Sequence, residues 1–177
     1  LQAPARSIGS GVLPAKTTPG VADQIAAASD VAVAAGITSI TEPGLGDPSN
    51  IGQCPTDLAA YQLAKDQGRL HVRATVMPYM TTLHPVDPTG DTVAEDFPRE
   101  DQSFGLDLGI RSGMGDDWLR IGAVKVLSDG SLIGRSAFMT EGYAADAEQG
   151  VENVGYLQFP QEWLERRLIA AHANGWQ

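Results

Sequence analysis

The stretch IGAVKVLSDGSLIGRSAFMTEGY, residues 121–143, decides the fold of this chain. Its first part, 121–127, is apolar except for Lys125, and the turn-forming residues Ser128, Asp129, Gly130 and Ser131 follow it. An apolar run of this length that ends in turn residues is typical of a strand in a parallel sheet covered on both faces. The stretch therefore predicts a buried parallel strand that carries one lysine near its carboxyl end.

Two units, each a helix followed by a glycine and then a strand, precede this stretch. In the first, Thr18 is expected to cap a helix that begins at Pro19 and stops at Gly36, and a strand over 37–42 follows. The inward face of this helix is predicted to consist of Val21, Ile25, Ala28 and Ala32. In the second unit, Thr56 or Asp57 caps a helix that runs to Gly68, and a strand over 70–77 follows.

Two more helices are predicted around the strand that carries Lys125. The first, over 101–114, is weak, because Gly105, Gly109 and Gly113 interrupt it and each glycine costs about 1 kcal/mol relative to alanine. The second begins at Pro160 and ends at Gly175. Its inward side chains are predicted to be Trp163, Leu164, Leu168 and Ala171.

The alternation of helices and strands predicts an α/β fold with right-handed crossovers and a parallel sheet. The loops that leave the carboxyl ends of the strands, 43–55, 78–100 and 128–159, are much longer than those that enter the amino ends. Because the carboxyl ends carry the site in barrels and in open parallel sheets, the chemistry is expected there. Two architectures fit: part of a (β/α)8 TIM-type barrel with about three to four βα units, or a small open sheet.

The composition excludes several classes of function. Twelve Lys and Arg residues against 22 Asp and Glu give a net charge of −10, which repels phosphate backbones and argues against nucleic acid as a partner. The sequence contains neither a run of about 18 apolar residues that would span a membrane nor a secretory signal. The single cysteine, Cys54, excludes an internal disulfide framework and is typical of a reducing compartment, so a cytoplasmic location is expected.

Three segments of the sequence resemble one family. Residues 124–132, VKVLSDGSL, with Gly134-Arg135-Ser136-Ala137 and Tyr143 after them, resemble the vKxxxDGSxxxRTA…Y signature of metal-dependent amidohydrolases. Residues 35–40, AGITSI, resemble the GITSV strand of the branch that includes the N-substituted formamide deformylases. Residues 164–177 resemble the LxxxxxAHxxGWQ helix that precedes a metal-binding HAIGD strand in that branch.

The resemblance implies an amidohydrolase (β/α)8 barrel with one or two divalent metals, usually zinc. Residues 1–18 would be an irregular lead-in and residues 19–177 a partial barrel domain. In the family, metal-activated water hydrolyses an amide, formamide or related non-peptide C–N bond of a small molecule. Members with two metals bridge them with a strand lysine that CO2 has carboxylated, and Lys125 is the residue that matches it.

The sequence departs from the family pattern in several places. Ile133 and Gly134 stand where pairs of small residues are common, and Ser136 replaces a threonine, but neither change breaks the predicted turn. No His-x-His pair opens the sequence, and the histidine of the HAIGD strand would follow Gln177. Most metal ligands are therefore expected outside these residues, and the chain is predicted to be a central, inactive segment of a larger enzyme.

The signature residues have both functional and structural interpretations. Lys125 is either a metal ligand, since a neutral lysine amine can add CO2 to give a carbamate with two oxygens, or a lysine that snorkels to solvent or forms a strand-end ion pair. Asp129 orients Lys125, contacts the substrate or only shapes the turn, and Ser131 in the same turn is a candidate contact to the substrate. The planar fork of Arg135 either grips a substrate carboxylate or carbonyl or stays solvated. Tyr143 is a further candidate contact to the substrate.

Other polar residues are weaker candidates for the site. Glu42 ends the first predicted strand and either supports a metal ligand or caps the turn after it. His71 is expected to be structural because it starts its strand, His84 is a candidate neighbour of the substrate, and His172 is not expected to be a ligand. Without a His-x-His, a His-x-x-x-His or a cysteine pair, this sequence alone cannot build a closed zinc site.

Two other functions remain open. A small open-sheet binding module would hold a ligand with its carboxyl-edge loops and perform no chemistry. An amidohydrolase-like relative could also have lost its metals. Sheet edges that a partial barrel leaves unpaired favour pairing with another chain, so a homo-oligomer is a further expectation.

Overall fold

The computed structural model describes residues 16–46, 56–86, 97–98 and 102–177. Cys54 and residues 1–15 of the predicted lead-in lie outside the described residues. A parallel sheet has the strand order β1–β2–β5, where β1 is Ser39–Leu45, β2 is Arg73–Pro78 and β5 is Leu119–Ile121. An antiparallel pair joins β3, His84–Val86, to β4, Ser103–Gly105. The predicted α/β class with a parallel sheet is therefore confirmed, while the barrel stays a prediction.

Four α-helices occur in the described residues. Helix α1, Thr18–Ala34, precedes β1, and α2, Asp57–Asp66, lies between β1 and β2. A short helix α3, Ala144–Ala147, and a longer helix α4, Gln161–Ala173, follow β5. None of these helices combines the length and apolar character that a bilayer crossing requires.

Helix α1 begins one residue earlier than the sequence indicated. Thr17, not Thr18, is the N-cap, and its hydroxyl accepts a hydrogen bond from the Gly20 amide at 3.2 Å. Pro19 lies in the first turn, where backbone N–H groups have no acceptor within the helix, so the N–H that proline lacks costs no hydrogen bond. Gly36 follows in a left-handed conformation with φ 78°, which ends the helix as predicted.

The buried face of α1 differs from the prediction at Ala28, which is exposed. Ala22, Ala26 and Ser29 are buried instead, at the spacing of one helical stripe. The Ser29 hydroxyl accepts a hydrogen bond from the His71 amide at 2.6 Å. The small polar side chain therefore ties α1 to the segment that enters β2.

In the described part of the chain, the helices cover one face of the parallel sheet. Ala74 and Val76 of β2 and Leu119 and Ile121 of β5 belong to one buried core with Tyr61 of α2. The other face, called the open face here, exposes Ser39, Thr41, Arg73 and Arg120 in the described residues. In the strand that was expected to be covered on both faces, 121–127, Ile121 and Gly122 are buried and the other residues are half-buried. The alternation of apolar and polar side chains along β2 is typical of a half-covered sheet.

The helix predicted over 101–114 is wrong. Residues 103–105 form β4, and Asp107–Gly109 forms a 3₁₀ turn. Gly109, Gly113 and Gly115 have φ angles of 69°, 92° and 126°, which an α-helix does not contain. The chain instead folds back on β5, where Gly115 pairs with Arg120 in an antiparallel bridge.

Helix α4 follows Pro160 as predicted, but its inward face contains a charge. Ala171 is buried, whereas Leu168 is exposed and Arg167 takes the inward position with 3% of its surface exposed. Arg167 Nη2 donates hydrogen bonds to the carbonyl oxygens of Met80, at 2.9 Å, and of Leu83. Its guanidinium also lies 4.9 Å from the ring centroid of Phe104 and 4.7 Å from that of Trp163. These contacts explain why an arginine replaces the expected leucine.

Candidate functional site

The two strands that flank β2 each contain one extra residue at their carboxyl ends. Strand β1 pairs Glu42 with Val76 and Leu45 with Pro78, so three steps along β1 match two along β2. On the other side, Val76 O accepts a hydrogen bond from Gly122 N at 2.8 Å, and Pro78 O accepts one from Lys125 N at 2.7 Å. Bulges of this kind are common beside active sites, where they redirect side chains.

The bulge after Gly122 decides on which face Lys125 lies. Regular alternation from Ile121 would place residues 123 and 125 on the helix-covered face. Val124 and Val126 pack against the core instead. The side chain of Lys125 therefore lies on the open face, and it has no salt-bridge partner among the described residues.

The chain around Lys125 is held on both sides. Lys125 O accepts a hydrogen bond from Met80 N at 2.9 Å, and Gln177 O accepts one from Val124 N at 2.9 Å. An isolated bridge also joins Tyr79 to Lys125.

The strand predicted over 121–127 is regular only in its first residue. The ladder between β2 and β5 ends at Ile121, because the bulge interrupts it. Lys125 is half-buried rather than fully buried.

Asp129 and Ser131 lie in a turn that their own contacts stabilise. Asp129 Oδ2 accepts a hydrogen bond from Phe138 N at 2.9 Å, and its Oδ1 accepts one from Ser128 Oγ at 3.1 Å. Ser131 is exposed, and its amide donates to Ser136 Oγ at 3.0 Å. The Asp129 carboxylate thus shapes the loop, and the Ser131 hydroxyl faces solvent.

Arg135 and Tyr143 are held by neighbours from the same loop. Arg135 has a left-handed backbone, with φ 51°, and its guanidinium pairs with Asp146. The Tyr143 hydroxyl donates a hydrogen bond to Ala137 O at 2.8 Å. Nearly half of the Arg135 side chain stays exposed, so its remaining N–H groups are accessible.

Two residues that the sequence did not single out complete this arrangement. Asp146 pairs with Arg135, and Asn153 Nδ2 donates to Arg135 O at 2.8 Å and to Asp146 Oδ2 at 2.7 Å. Both lie beyond the matched signature, which ends at Tyr143. Asn153 also accepts a hydrogen bond from Gly155 N at 2.9 Å, and this Asn-x-Gly turn is the one local signal that marks its position.

Glu42 lies on the helix-covered face, opposite Lys125. It borders a cavity of about 250 Å³ together with Val21, Asp57 and Tyr61. Burial raises the pKa of the Glu42 carboxyl, a hydrogen bond with Tyr61 opposes the increase, and the charge of Asp57 adds to it. Burial also raises the pKa of the Tyr61 hydroxyl far above its usual value. This position does not favour a role for Glu42 beside Lys125.

The histidines lie apart from one another. His71 Nδ1 is 2.7 Å from Asp30 Oδ1 at the amino end of the sheet, which agrees with the expected structural role. His84 Nε2 is 3.1 Å from Asp107 Oδ1, beside a cavity of about 390 Å³ at the carboxyl ends of β1 and β2. His172 is exposed in the last turn of α4.

Metal-ligand side chains do not cluster in the part of the chain that the structure describes. No group of three or more His, Cys, Asp or Glu residues there could hold a metal ion. Lys125, on the open face, is separated by the sheet from Glu42. The described residues therefore offer single donors at the carboxyl edge rather than a complete metal centre.

Comparison with known proteins decides the family. A sequence profile of the amidohydrolase family matches residues 5–177. The chain belongs to the amidohydrolase family. Two solved structures, both described as uncharacterized metal-dependent hydrolases, resemble it. The one from Pyrococcus horikoshii OT3 has a TM-score of 0.62 and 19% identity over 98% of this chain and 29% of that chain. The one from Pyrococcus furiosus has a TM-score of 0.62 and 18% identity over 98% of this chain and 30% of that chain.

This amidohydrolase chain thus spans 29% and 30% of the two hydrolases that it resembles. At 19% and 18% identity the likeness concerns the fold alone. No curated protein matches the sequence significantly. The prediction of the family is confirmed, while the formamide deformylase branch stays a prediction.

Proposed function

We propose that this amidohydrolase chain is part of a metal-dependent enzyme that hydrolyses a non-peptide C–N bond, of the amide or formamide type, in a small molecule. The observation that carries the proposal is the bulge that turns Lys125 toward the open face beside the carboxyl end of β2. Membership of the amidohydrolase family and the likeness to two metal-dependent hydrolases support it.

Lys125 is proposed to act as a metal ligand in its carboxylated form. The neutral amine attacks CO2, the new N–C bond gives a carbamate, and one proton leaves to solvent. The two carbamate oxygens suit a divalent cation, and zinc is the ion we expect. When bound, such a metal supplies activated water for the hydrolysis.

The described residues fit only one part of this metal site. Lys125 lies on the accessible face, but the described segments hold no group of three His, Cys, Asp or Glu donors. We therefore propose that residues other than those described complete the ligand set. The 177-residue chain is then expected to be inactive by itself.

The loop after Lys125 is proposed to form one wall of the substrate pocket. Arg135 is the strongest contact within it, because its side chain is still nearly half exposed after pairing with Asp146. It would donate to a carbonyl or carboxylate oxygen of the substrate. Asp129, Ser131 and Tyr143 would border the same pocket. Asp129 and Tyr143 would do so chiefly by holding the loop, because their polar atoms already bond to it.

A binding module without catalysis is the second candidate function. One observation favours it, the largely apolar cavity of about 390 Å³ that Leu45, Pro78, Leu106 and Ile110 help to line. Such a cavity suits a small apolar ligand. It lies on the helix side of the sheet, away from Lys125.

The metal content of the full-length protein tests the proposed function. Lys125→Ala is expected to lose the metal that the carbamate holds, together with most of the hydrolase activity. Lys65→Ala is the matched control, since it removes the same charge from α2, where Lys65 pairs with Asp116. Elemental analysis counts the metal per chain. Full metal content and activity in Lys125→Ala would refute the role of Lys125, and a metal-free protein that binds apolar ligands would favour the binding module.

A further inference from the structure

Asp146 in the loop 128–159 is more enclosed than its ion-pair partner. Its side chain is 13% exposed, against 45% for Arg135, the residue with which it pairs. One carboxylate oxygen faces Arg135 Nη1, and the other accepts a hydrogen bond from Asn153 Nδ2 at 2.7 Å. Both oxygens of Asp146 are therefore engaged inside the loop.

Asn153, which bonds to Asp146, also holds the backbone of Arg135. The φ angle of 51° is uncommon for a residue with a side chain and persists only where the surroundings impose it. Asn153 Nδ2 donates a hydrogen bond to Arg135 O at 2.8 Å. Asp146 and Asn153 thus fix both the main chain and the guanidinium of one arginine.

Tyr143 is tied to the same two residues. Its amide donates to Asn153 O at 2.9 Å, and its carbonyl accepts a hydrogen bond from Asp146 N at 3.0 Å. The Tyr143 hydroxyl then holds Ala137 O at 2.8 Å. The relative positions of Arg135 and Tyr143 therefore depend on the Asp146 and Asn153 pair.

We propose that Asp146 and Asn153 are positioning residues that orient Arg135 toward the substrate. Asp146 restrains one edge of the guanidinium, and the exposed N–H groups remain available as a planar fork. That fork suits a substrate with a carboxylate or a second carbonyl group beside the scissile C–N bond. This inference rests on the proposed function, which supplies the substrate that Arg135 would meet.

Steady-state kinetics of the full-length protein test this role. Asp146→Asn and Asn153→Ala are expected to raise KM for an amide substrate that carries a carboxylate about tenfold, with a much smaller change in kcat. An amide without the carboxylate or second carbonyl should show no such increase. Glu141→Gln is the control, since it removes an exposed carboxylate from the same loop.

A double-mutant cycle separates positioning from a merely structural role. If Asp146 acts through Arg135, then Asp146→Asn adds no further increase in KM once Arg135→Ala is present. Additive effects on KM, or an equal loss of kcat for both substrates, would overturn the inference.

Amide hydrogen exchange gives a readout that does not depend on activity. In Asp146→Asn the amides of Tyr143 and Gly155 are expected to exchange faster than in the wild type and in Glu141→Gln. Should the wild-type protein hydrolyse no amide, the proposed function fails, and the positioning of Arg135 still stands if exchange accelerates. Unchanged exchange in Asp146→Asn would overturn the positioning role in either case.

Discussion

The face on which Lys125 lies depends on a single extra residue in the strand. Gly122 N and Lys125 N bond to carbonyls that are two residues apart on β2, so the chain between them contains one residue more than its partner. Val124 consequently packs against the core, and alternation along the strand places Lys125 on the opposite face. The apolar run and its lysine could be predicted from the sequence. The bulge could not, because it depends on pairing with β2.

The bulge predicts that substitutions at two adjacent positions change the free energy of unfolding by different amounts. Val124→Lys should lower the free energy of unfolding by about 2 kcal/mol, because it places a charge against the core. Lys125→Val should change it by less than about 1 kcal/mol, because that side chain lies on the open face. Urea unfolding measures both. A larger loss of unfolding free energy in Lys125→Val than in Val124→Lys would show that Lys125, not Val124, faces the helices.

The raised pKa of Glu42 predicts that the stability of the folded protein depends on pH. Its folded-state pKa is raised above 4.5, chiefly by burial, so the folded protein binds the proton more tightly than the unfolded chain. The folded state therefore loses stability as pH rises from 4.5 through the raised pKa. Glu42→Gln should be more stable than the wild type near pH 7, by less than about 1 kcal/mol because solvent screens the partly exposed carboxyl. The difference should vanish below about pH 4.

Urea unfolding of the wild type and Glu42→Gln at the two pH values checks this prediction. Glu141→Gln serves as a control for loss of an exposed charge. A Glu42→Gln variant that is less stable than the wild type near neutral pH would mean that the hydrogen bond with Tyr61 outweighs the cost of burial.

At the level of elements, the helices could be predicted better than the short strands. Helices α1, α2 and α4 lie close to their predicted bounds, because a proline in or before the first turn and glycines after the last turn are local signals. Strands β3 and β4 were missed, since each has three residues and exists through pairing with a distant segment. Gly109 and Gly113, two of the glycines that weakened the predicted third helix, lie in the turns that replace it.

Helix α4 is attached to the turn after β2 through Arg167. Replacing Arg167 with Met should leave the carbonyls of Met80 and Leu83 without their buried donor and cost about 3 kcal/mol of unfolding free energy. Arg167→Lys should be only partly tolerated, because an ammonium cannot reproduce the planar contacts with Phe104 and Trp163.

Arg166→Met is the matched control for Arg167. Arg166 is exposed on the same helix and lies over the Phe97 ring at 3.7 Å, so its loss should cost less than about 1 kcal/mol. Denaturant unfolding of the three variants compares them. Equal costs for Arg166→Met and Arg167→Met would contradict the attachment through Arg167.

At the level of the whole molecule, the two faces of the parallel sheet in this amidohydrolase chain differ. The helices cover the apolar side chains of β2 and β5, while Thr41, Arg73, Arg120 and Lys125 lie on the other side of the sheet. Of the segments predicted as long loops, 128–159 follows β5 and contains the short helix α3, and 78–100 contains the strand β3. The segment 43–55 is described only as far as residue 46. The complete barrel and the remaining metal ligands could not be derived from this chain, whose described residues contain no cluster of metal donors.

Anomalous diffraction at the zinc edge, from crystals of the full-length protein grown with zinc and bicarbonate, tests the central claim most directly. The account predicts a metal peak on the open face, bound to a carboxylated Lys125 at the carboxyl end of the sheet. An unmodified Lys125 ammonium with every metal peak far from it would contradict the account.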